Sequence, residues 1–115
     1  MQAKRSKSFN DAQIEEAARL FTLLSEPARL RLISTLMGGP LTVTELVHAT
    51  GLKQGNVSKH LAMLLDARLL AREKDGNFAR YSIADPSMVD LCNLVCHRMA
   101  RDAKRRLSAL MSAGS

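Results

Sequence analysis

The stretch that most constrains the fold runs from Thr50 to Leu65 and reads as a turn followed by a helix with two different faces. Apolar residues recur along one face at helical spacing and predict that this face is buried: Val57, Leu61, Leu64 and Leu65. Polar residues dominate the other side: Gln54, Asn56, Ser58, Lys59 and His60. Such a surface can read base edges in a DNA major groove, but an ordinary surface helix would also show it. The flanking segments decide between these interpretations.

Composition favours one compact, mostly helical domain. The chain has 115 residues, of which 46% are hydrophobic and only 3% aromatic, so aliphatic side chains must fill the core. Its formal charge of +6 favours a polyanionic partner such as nucleic acid, although solubility alone could also explain it. No apolar run is long enough to span a membrane, and no apolar signal core follows the basic N-terminus. We therefore expect a cytoplasmic protein with no membrane partner.

Two helices are expected in the first third of the chain. A flexible basic segment, residues 1–11, precedes a helix from Ala12 to about Leu24, with Asp11 as a candidate cap. Pro27 starts a second helix, which ends near Met37 before a Gly-Gly-Pro sequence. The predicted buried side of this second helix consists of Leu30, Ile33, Leu36 and Met37, and Arg29 and Arg31 are expected to point elsewhere.

A short third helix precedes the polar-faced helix. Thr42 or Thr44 is its candidate cap, it ends near Ala49, and Gly51 supplies the turn because glycine readily adopts positive φ. The polar-faced helix then runs from Gln54 to about Ala67. A short helix, a glycine-containing turn and a second helix with a polar face form the helix-turn-helix pattern.

The hydrophobic periodicity after Arg68 changes to that of strands. Residues 69–74 and 78–83 predict two strands, and Asp75-Gly76-Asn77 predicts the hairpin turn between them. A basic hairpin directly after a helix-turn-helix is typical of a wing, whose tip can contact phosphates or the minor groove. Lys74 and Arg80 are therefore candidate DNA contacts.

A last helix is expected to start at Asp85-Pro86, with Asp85 or Ser87 as its cap, and to run to about Leu110. An apolar stripe follows it near heptad spacing: Met88, Leu91, Cys92, Val95 and Met99. A domain comprising residues 12–110, with a tail of residues 111–115, cannot bury all of this stripe. We therefore expect a homodimer through the first and last helices. The predicted fold is mainly α with a small β-hairpin, in the order α-α-α-α-β-β-α.

The last helix also carries the candidate metal ligands Cys92 and Cys96. Cysteines four residues apart share a helix face with Cβ atoms about 5–6 Å apart, which exceeds the roughly 3.5–4.5 Å of a disulfide. A soft ion such as As(III) or Sb(III) could span two thiolates, because its bonds to sulfur add reach. His97 points about 100° away and is not an evident third ligand. Redox or reactive-sulfur sensing, and simple packing of two small apolar side chains, remain alternatives.

Three motifs resemble the arsenical-resistance repressor (ArsR-type) family of winged-helix regulators, over about residues 12–100. Residues 24–33 resemble its L-x-x-P-x-R-L-x-I-L segment, residues 51–61 its G-L-S-Q-x-x-V-S-x-H-L recognition helix, and residues 69–81 its wing. The resemblance implies a homodimeric repressor that binds palindromic operator DNA and releases it when an inducer binds. It also implies that Gln54, Asn56, Ser58, Lys59 and His60 face DNA, although His60 could equally be a satisfied polar residue at the helix edge.

The inducer sites known in that family match this sequence poorly. Thr42, Thr44 and Val47 replace the cysteines of the third-helix metal site. The zinc-type site of the family lies between the paired last helices and uses carboxylates and histidines. This sequence retains one of these ligands, Asp85, but has Ser87, Arg98 and Arg101 at the other matching positions. The second helix lacks the cysteine of the sulfide and persulfide sensors. Cysteine pairs in the last helix do occur in some arsenical and antimonial sensors of the family, which leaves Cys92 and Cys96.

No catalytic constellation or phosphate-cradling glycine loop is visible, so we do not expect an enzyme. The alternative of another class is a helical interaction module whose basic charge is incidental. A steep salt dependence of DNA binding would distinguish a repressor from such a module.

Overall fold

The computed structural model describes residues 8–113 and contains five helices and three strands within them. In chain order they are α1 (Asp11–Leu24), α2 (Pro27–Leu36), β1 (Leu41–Thr42), α3 (Val43–Thr50), α4 (Gln54–Asp66), β2 (Leu70–Asp75), β3 (Phe78–Ile83) and α5 (Pro86–Ala113). The mainly α fold with a hairpin is confirmed, and one short strand is added to the predicted order. Most of the predicted flexible segment 1–11, and residues 114–115 of the predicted tail, lie outside the described residues.

Capping residues explain where several helices begin. Asn10 caps α1: its Oδ1 accepts from the Gln13 backbone N–H at 2.9 Å, and the Gln13 side chain accepts from the Asn10 N–H at 3.1 Å. The prediction that Asp11 caps α1 was wrong. Asp11 is the first helical residue, where its negative charge interacts favourably with the helix dipole. Thr42 and Glu45 form the same reciprocal box at α3, which decides between the two candidate threonines.

The strand that the sequence did not reveal is β1, only two residues long. Leu41 pairs with Tyr81 and Thr42 with Arg80, so β1 lies antiparallel to β3 in a sheet of order β1-β3-β2. Two residues are too few to show an alternating pattern. Because β1 runs directly into α3, the sheet of the hairpin is joined by backbone hydrogen bonds to the start of the helix-turn-helix.

The core lies where α2, α3 and α4 pack against one another and against the base of the hairpin. Val57, Leu61 and Leu64 of α4 are fully buried, as predicted, while Leu65 is only partly buried. The prediction for α2 is confirmed at Ile33 and Leu36, which are buried, but it was wrong at Leu30, which is 43% exposed, and it missed Leu32, which is fully buried. These two leucines lie about 200° apart on the helix, and only packing against its neighbours decides which faces inward.

Helix α5 leaves its own domain soon after it starts. Met88 is buried, and Leu91 and Cys92 pack partly against the core, but the following apolar side chains are exposed. They are Leu94, Val95, Met99, Leu107, Leu110 and Met111. The helix covers 28 described residues and continues to Ala113, past the predicted end near Leu110. Across residues 8–113, no helix combines the length and apolarity needed to cross a bilayer.

Candidate nucleic-acid interface

A rigid turn sets the angle between α3 and α4. Gly51 has a φ of 72° and ends α3 in the left-handed conformation that favours glycine. The hydroxyl of the buried Thr50 donates to the Leu46 carbonyl at 2.6 Å and accepts from the Leu52 N–H at 3.3 Å. Since the turn is closed by these bonds and α4 is anchored by its buried side, the outer side of α4 has a fixed direction.

The outer side of α4 carries four of the predicted DNA contacts: Gln54, Asn56, Ser58 and Lys59. All four residues are exposed, and none of their side chains makes a hydrogen bond or ion pair with residues 8–113. The N-cap residue, Lys53, also gives no side-chain hydrogen bond to the start of the helix, unlike the caps of α1 and α3. The first backbone N–H groups of α4, which have no intrahelical acceptor in any helix, therefore receive no side-chain acceptor from the N-cap residue.

His60, the fifth predicted contact, lies differently from the other four. It is only partly exposed, and its Nδ1 accepts a hydrogen bond from Arg29 Nε at 3.2 Å. Arg29 Nη1 also donates to the Leu23 carbonyl at 2.9 Å. The interpretation of His60 as a satisfied polar residue therefore holds for one of its nitrogens. Sequence analysis missed Arg29, because its partner lies 31 residues away and no local signal marks the pair.

The wing is the β2–β3 hairpin, whose strands pair from Leu70↔Ile83 to Asp75↔Phe78 and whose turn contains Gly76 with a φ of 63°. Lys74 is exposed near the tip and has no partner in the described part of the chain. Arg80, the other predicted contact, is held by two carboxylates: its Nε donates to Asp75 at 2.8 Å and its Nη1 to Glu45 at 3.2 Å. Arg80 therefore ties the wing to the start of α3.

The ion pairs of Arg80 with Asp75 and Glu45 are accompanied by shifted pKa values of Arg80 and Glu45. Hydrogen bonds from the Thr42 backbone and hydroxyl, and then the charge of Arg80, hold the pKa of Glu45 below its usual range. The bond to Asp75, followed by the charge of Glu45, raises the pKa of Arg80. Both groups are exposed, so solvent screens these interactions and their role is mainly geometric.

The candidate metal ligands on α5 are two free thiols in different surroundings, since Cys92 is partly buried and Cys96 is exposed. Burial, and then the neighbouring Cys96, raise the pKa of the Cys92 thiol. Within residues 8–113, no group of three or more His, Cys, Asp or Glu side chains could hold a metal ion. The single chain thus offers two sulfur ligands and no third.

Asp85, which the sequence retains from the zinc-type site, has a structural role in the single chain. It accepts from the Ser87 N–H at 3.0 Å and from the Ser87 hydroxyl at 2.7 Å, and these bonds lower its pKa. Asp85 rather than Ser87 therefore caps the start of α5.

Comparison with known proteins places these features in a family. The model of the family described as "Bacterial regulatory protein, arsR family" matches residues 26–72, from the start of α2 into β2. A probable mercury resistance operon repressor from Streptomyces lividans is 38% identical over 80 residues, which cover 70% of this chain and 64% of that protein.

Solved structures agree over a larger part of the chain. The AntR antimony-specific transcriptional repressor is 32% identical with a TM-score of 0.77, covering 86% of this chain and 90% of that one. A homodimeric winged helix-turn-helix domain from Mycobacterium bovis is 25% identical with a TM-score of 0.68, covering 84% of this chain and 91% of that one. The names of these relatives describe transcriptional regulators, in agreement with the prediction that this chain is not an enzyme. The chain therefore belongs to the ArsR family and is a winged helix-turn-helix transcriptional repressor.

Proposed function

We propose that the protein is a cytoplasmic repressor that binds operator DNA as a homodimer and releases it when an inducer binds. The outer side of α4 enters the major groove, and the wing contacts phosphates or the minor groove. The single observation that carries this proposal is that α4 buries Val57, Leu61 and Leu64 completely, while on its polar side Gln54, Asn56, Ser58 and Lys59 are exposed and have no side-chain partner among residues 8–113.

Each exposed side chain has a defined chemical role in this proposal. Gln54 and Asn56 carry amides that can pair with adenine edges, and Ser58 can donate to or accept from a base. Lys59 and Lys74 supply charge to phosphates. Arg80 mainly holds the wing in position, but its Nη2 is not used in either carboxylate bond and can still reach a phosphate.

Salt dependence tests this assignment. Binding to DNA from upstream of the protein's own coding sequence should weaken with salt, with a log–log slope of about −0.9 per phosphate contact. Lys59→Ala should weaken binding and make the slope shallower by about 1, because one phosphate contact is lost. Fluorescence anisotropy from low to high salt measures both quantities.

Lys104→Ala is the matched control, because Lys104 is also an exposed lysine but lies on α5, away from the proposed interface. Its slope should equal that of the wild type. A flat salt response of the wild type, or equal losses in the two variants, would contradict the proposed interface.

A homodimer through α1 and α5 would cover the apolar side chains that the single chain leaves in water. Phe21 of α1 is 58% exposed, and Val95 and Met99 of α5 are 48% and 63% exposed. A groove of about 800 Å³ lies between α1 and the end of α4, with Leu20, Leu23 and Met63 among its apolar lining. Helix α5 is amphipathic over 28 residues, and its core-packed side chains Met88, Leu91 and Cys92 all lie near its start, so the rest of its apolar stripe is suited to pairing with a second copy.

Charge placed on the α5 stripe tests the dimer. Val95→Glu should shift the protein from dimer to monomer in sedimentation equilibrium, because a carboxylate would be buried against the second copy. Asn93→Glu places the same charge about 160° around the helix and should leave the dimer intact. Dissociation in both variants, or in neither, would argue against pairing through this stripe.

The inducer that fits α5 best is trivalent arsenic or antimony bound by Cys92 and Cys96. Both thiols lie beside the exposed stripe that a second copy would cover, so a further sulfur ligand can come from that copy. Support also comes from AntR, whose name describes an antimony-specific repressor. Ligation would change the crossing of the paired helices and hence the spacing of the two α4 helices, with a coupling of about 1–3 kcal/mol.

Redox or reactive-sulfur sensing is the second candidate for the same cysteines. The raised pKa of the Cys92 thiol does not separate the two candidates, because the thiolate is both the reactive form and the form that binds a metal ion. The remaining alternative is that both cysteines only fill space in the helix interface.

A titration of the protein–operator complex separates these candidates. As(III) or Sb(III) should release DNA from the wild type, whereas peroxide and persulfide should not, and neither should Zn(II), which normally needs three or four protein ligands. Cys92→Ser and Cys96→Ser should each abolish the release, because each removes a sulfur ligand. His97→Gln, beside the pair, is the control and should respond like the wild type. Release by peroxide or persulfide alone would favour redox sensing, and equal release in all variants would refute the cysteine site.

A further inference from the structure

We propose that Arg29 is a positioning residue that fixes the tautomer of His60, so that the outer nitrogen of His60 donates a hydrogen bond to DNA. This inference rests on the proposed function, because it requires that α4 faces DNA. It starts from one guanidinium group whose Nε donates to His60 Nδ1 at 3.2 Å and whose Nη1 donates to the Leu23 carbonyl at 2.9 Å.

The direction of the Arg29–His60 bond determines where the imidazole proton lies. Arginine has five N–H donors and no acceptor, so Nδ1 of His60 must offer its lone pair. In a neutral imidazole only one nitrogen carries hydrogen, which then has to be Nε2. The nitrogen left for DNA is therefore a donor, and it matches the oxygen acceptors of phosphates and of guanine and thymine edges.

Arg29 is held firmly enough to impose this tautomer. It is partly buried on α2, and its second bond goes to a carbonyl in the last turn of α1, where helical carbonyls lack intrahelical partners. The planar guanidinium keeps the two bonds in a fixed relation that the single ammonium of lysine cannot reproduce. The outer nitrogen of His60 thus depends on a residue that need not touch DNA itself.

The tautomer is measured first, on the free full-length protein. Two-bond ¹H–¹⁵N correlation spectra of the neutral His60 ring should show the Nε2–H form almost alone in the wild type. Arg29→Gln and Arg29→Lys should give a mixture of both tautomers. A merely structural role for Arg29 would leave the tautomer unchanged, so the Nε2–H form persisting in both folded variants would overturn the proposal.

Two isosteric changes at His60 then separate the functions of its nitrogens. Asparagine places its amide near the Nδ1 position, so His60→Asn keeps an acceptor for Arg29 and loses the outer donor. Glutamine reaches the Nε2 position, so His60→Gln keeps an outer donor without needing Arg29. We expect operator affinity to fall on the order of tenfold in His60→Asn, the size of one lost hydrogen bond, and to fall about twofold or less in His60→Gln.

A double-mutant cycle links the two residues. Arg29→Gln alone should weaken operator binding. Added to His60→Asn, it should cause no further loss, because the Nε2–H donor of His60 is already gone. Equal losses in both backgrounds would overturn the proposal. A His60→Asn loss that is uniform across operator sequences identifies a phosphate acceptor, and a loss confined to one base pair identifies a base edge.

Failure of the proposed function can be distinguished from failure of the inference about Arg29 and His60. If the wild type fails to bind operator DNA with a steep salt dependence, the proposed function fails, whatever tautomer is found. If the wild type binds as expected but His60→Asn binds equally well, only the role of Arg29 and His60 fails.

Discussion

The complete burial of one side of α4 is the constraint on which the rest of the molecule depends. Val57, Leu61 and Leu64 have no exposed surface, and burying each such side chain is worth about 1.5–3 kcal/mol. Rotating α4 would expose these residues and bury Lys59, whose charge has no partner in the described chain. The same packing that stabilises the domain therefore determines which side chains of α4 face outward.

The wing is positioned by backbone pairing more than by charge. β1 joins the hairpin sheet to the first residues of α3, so the wing and the helix-turn-helix share one piece of backbone. The ion pairs of Arg80 with Asp75 and Glu45 connect the same parts, but exposed pairs of this kind contribute little to stability. Their value lies in limiting how the hairpin can tilt relative to α4. Arg80, which the sequence predicted as a DNA contact, is thus bonded mainly to carboxylates of its own chain.

Local sequence signals predicted most of the fold, and long-range packing decided the rest. Pro27, Gly51 and Gly76 set element ends because their backbone requirements act at single positions. β1 was missed because a two-residue strand has no detectable period. In the candidate site, the exposed polar side of α4 followed from helical spacing, but the bond between Arg29 and His60 joins residues 31 positions apart and has no local signature.

The most direct test is to map the DNA interface by amide NMR of the isotope-labelled protein as operator DNA is added. The largest shift changes should fall on residues 54–60 and on the wing tip around Lys74 and Gly76. The basic second half of α5, around Arg101 and Arg105, should shift much less. Changes concentrated in α5, with residues 54–60 unaffected, would contradict the assignment of α4 as the surface that reads DNA.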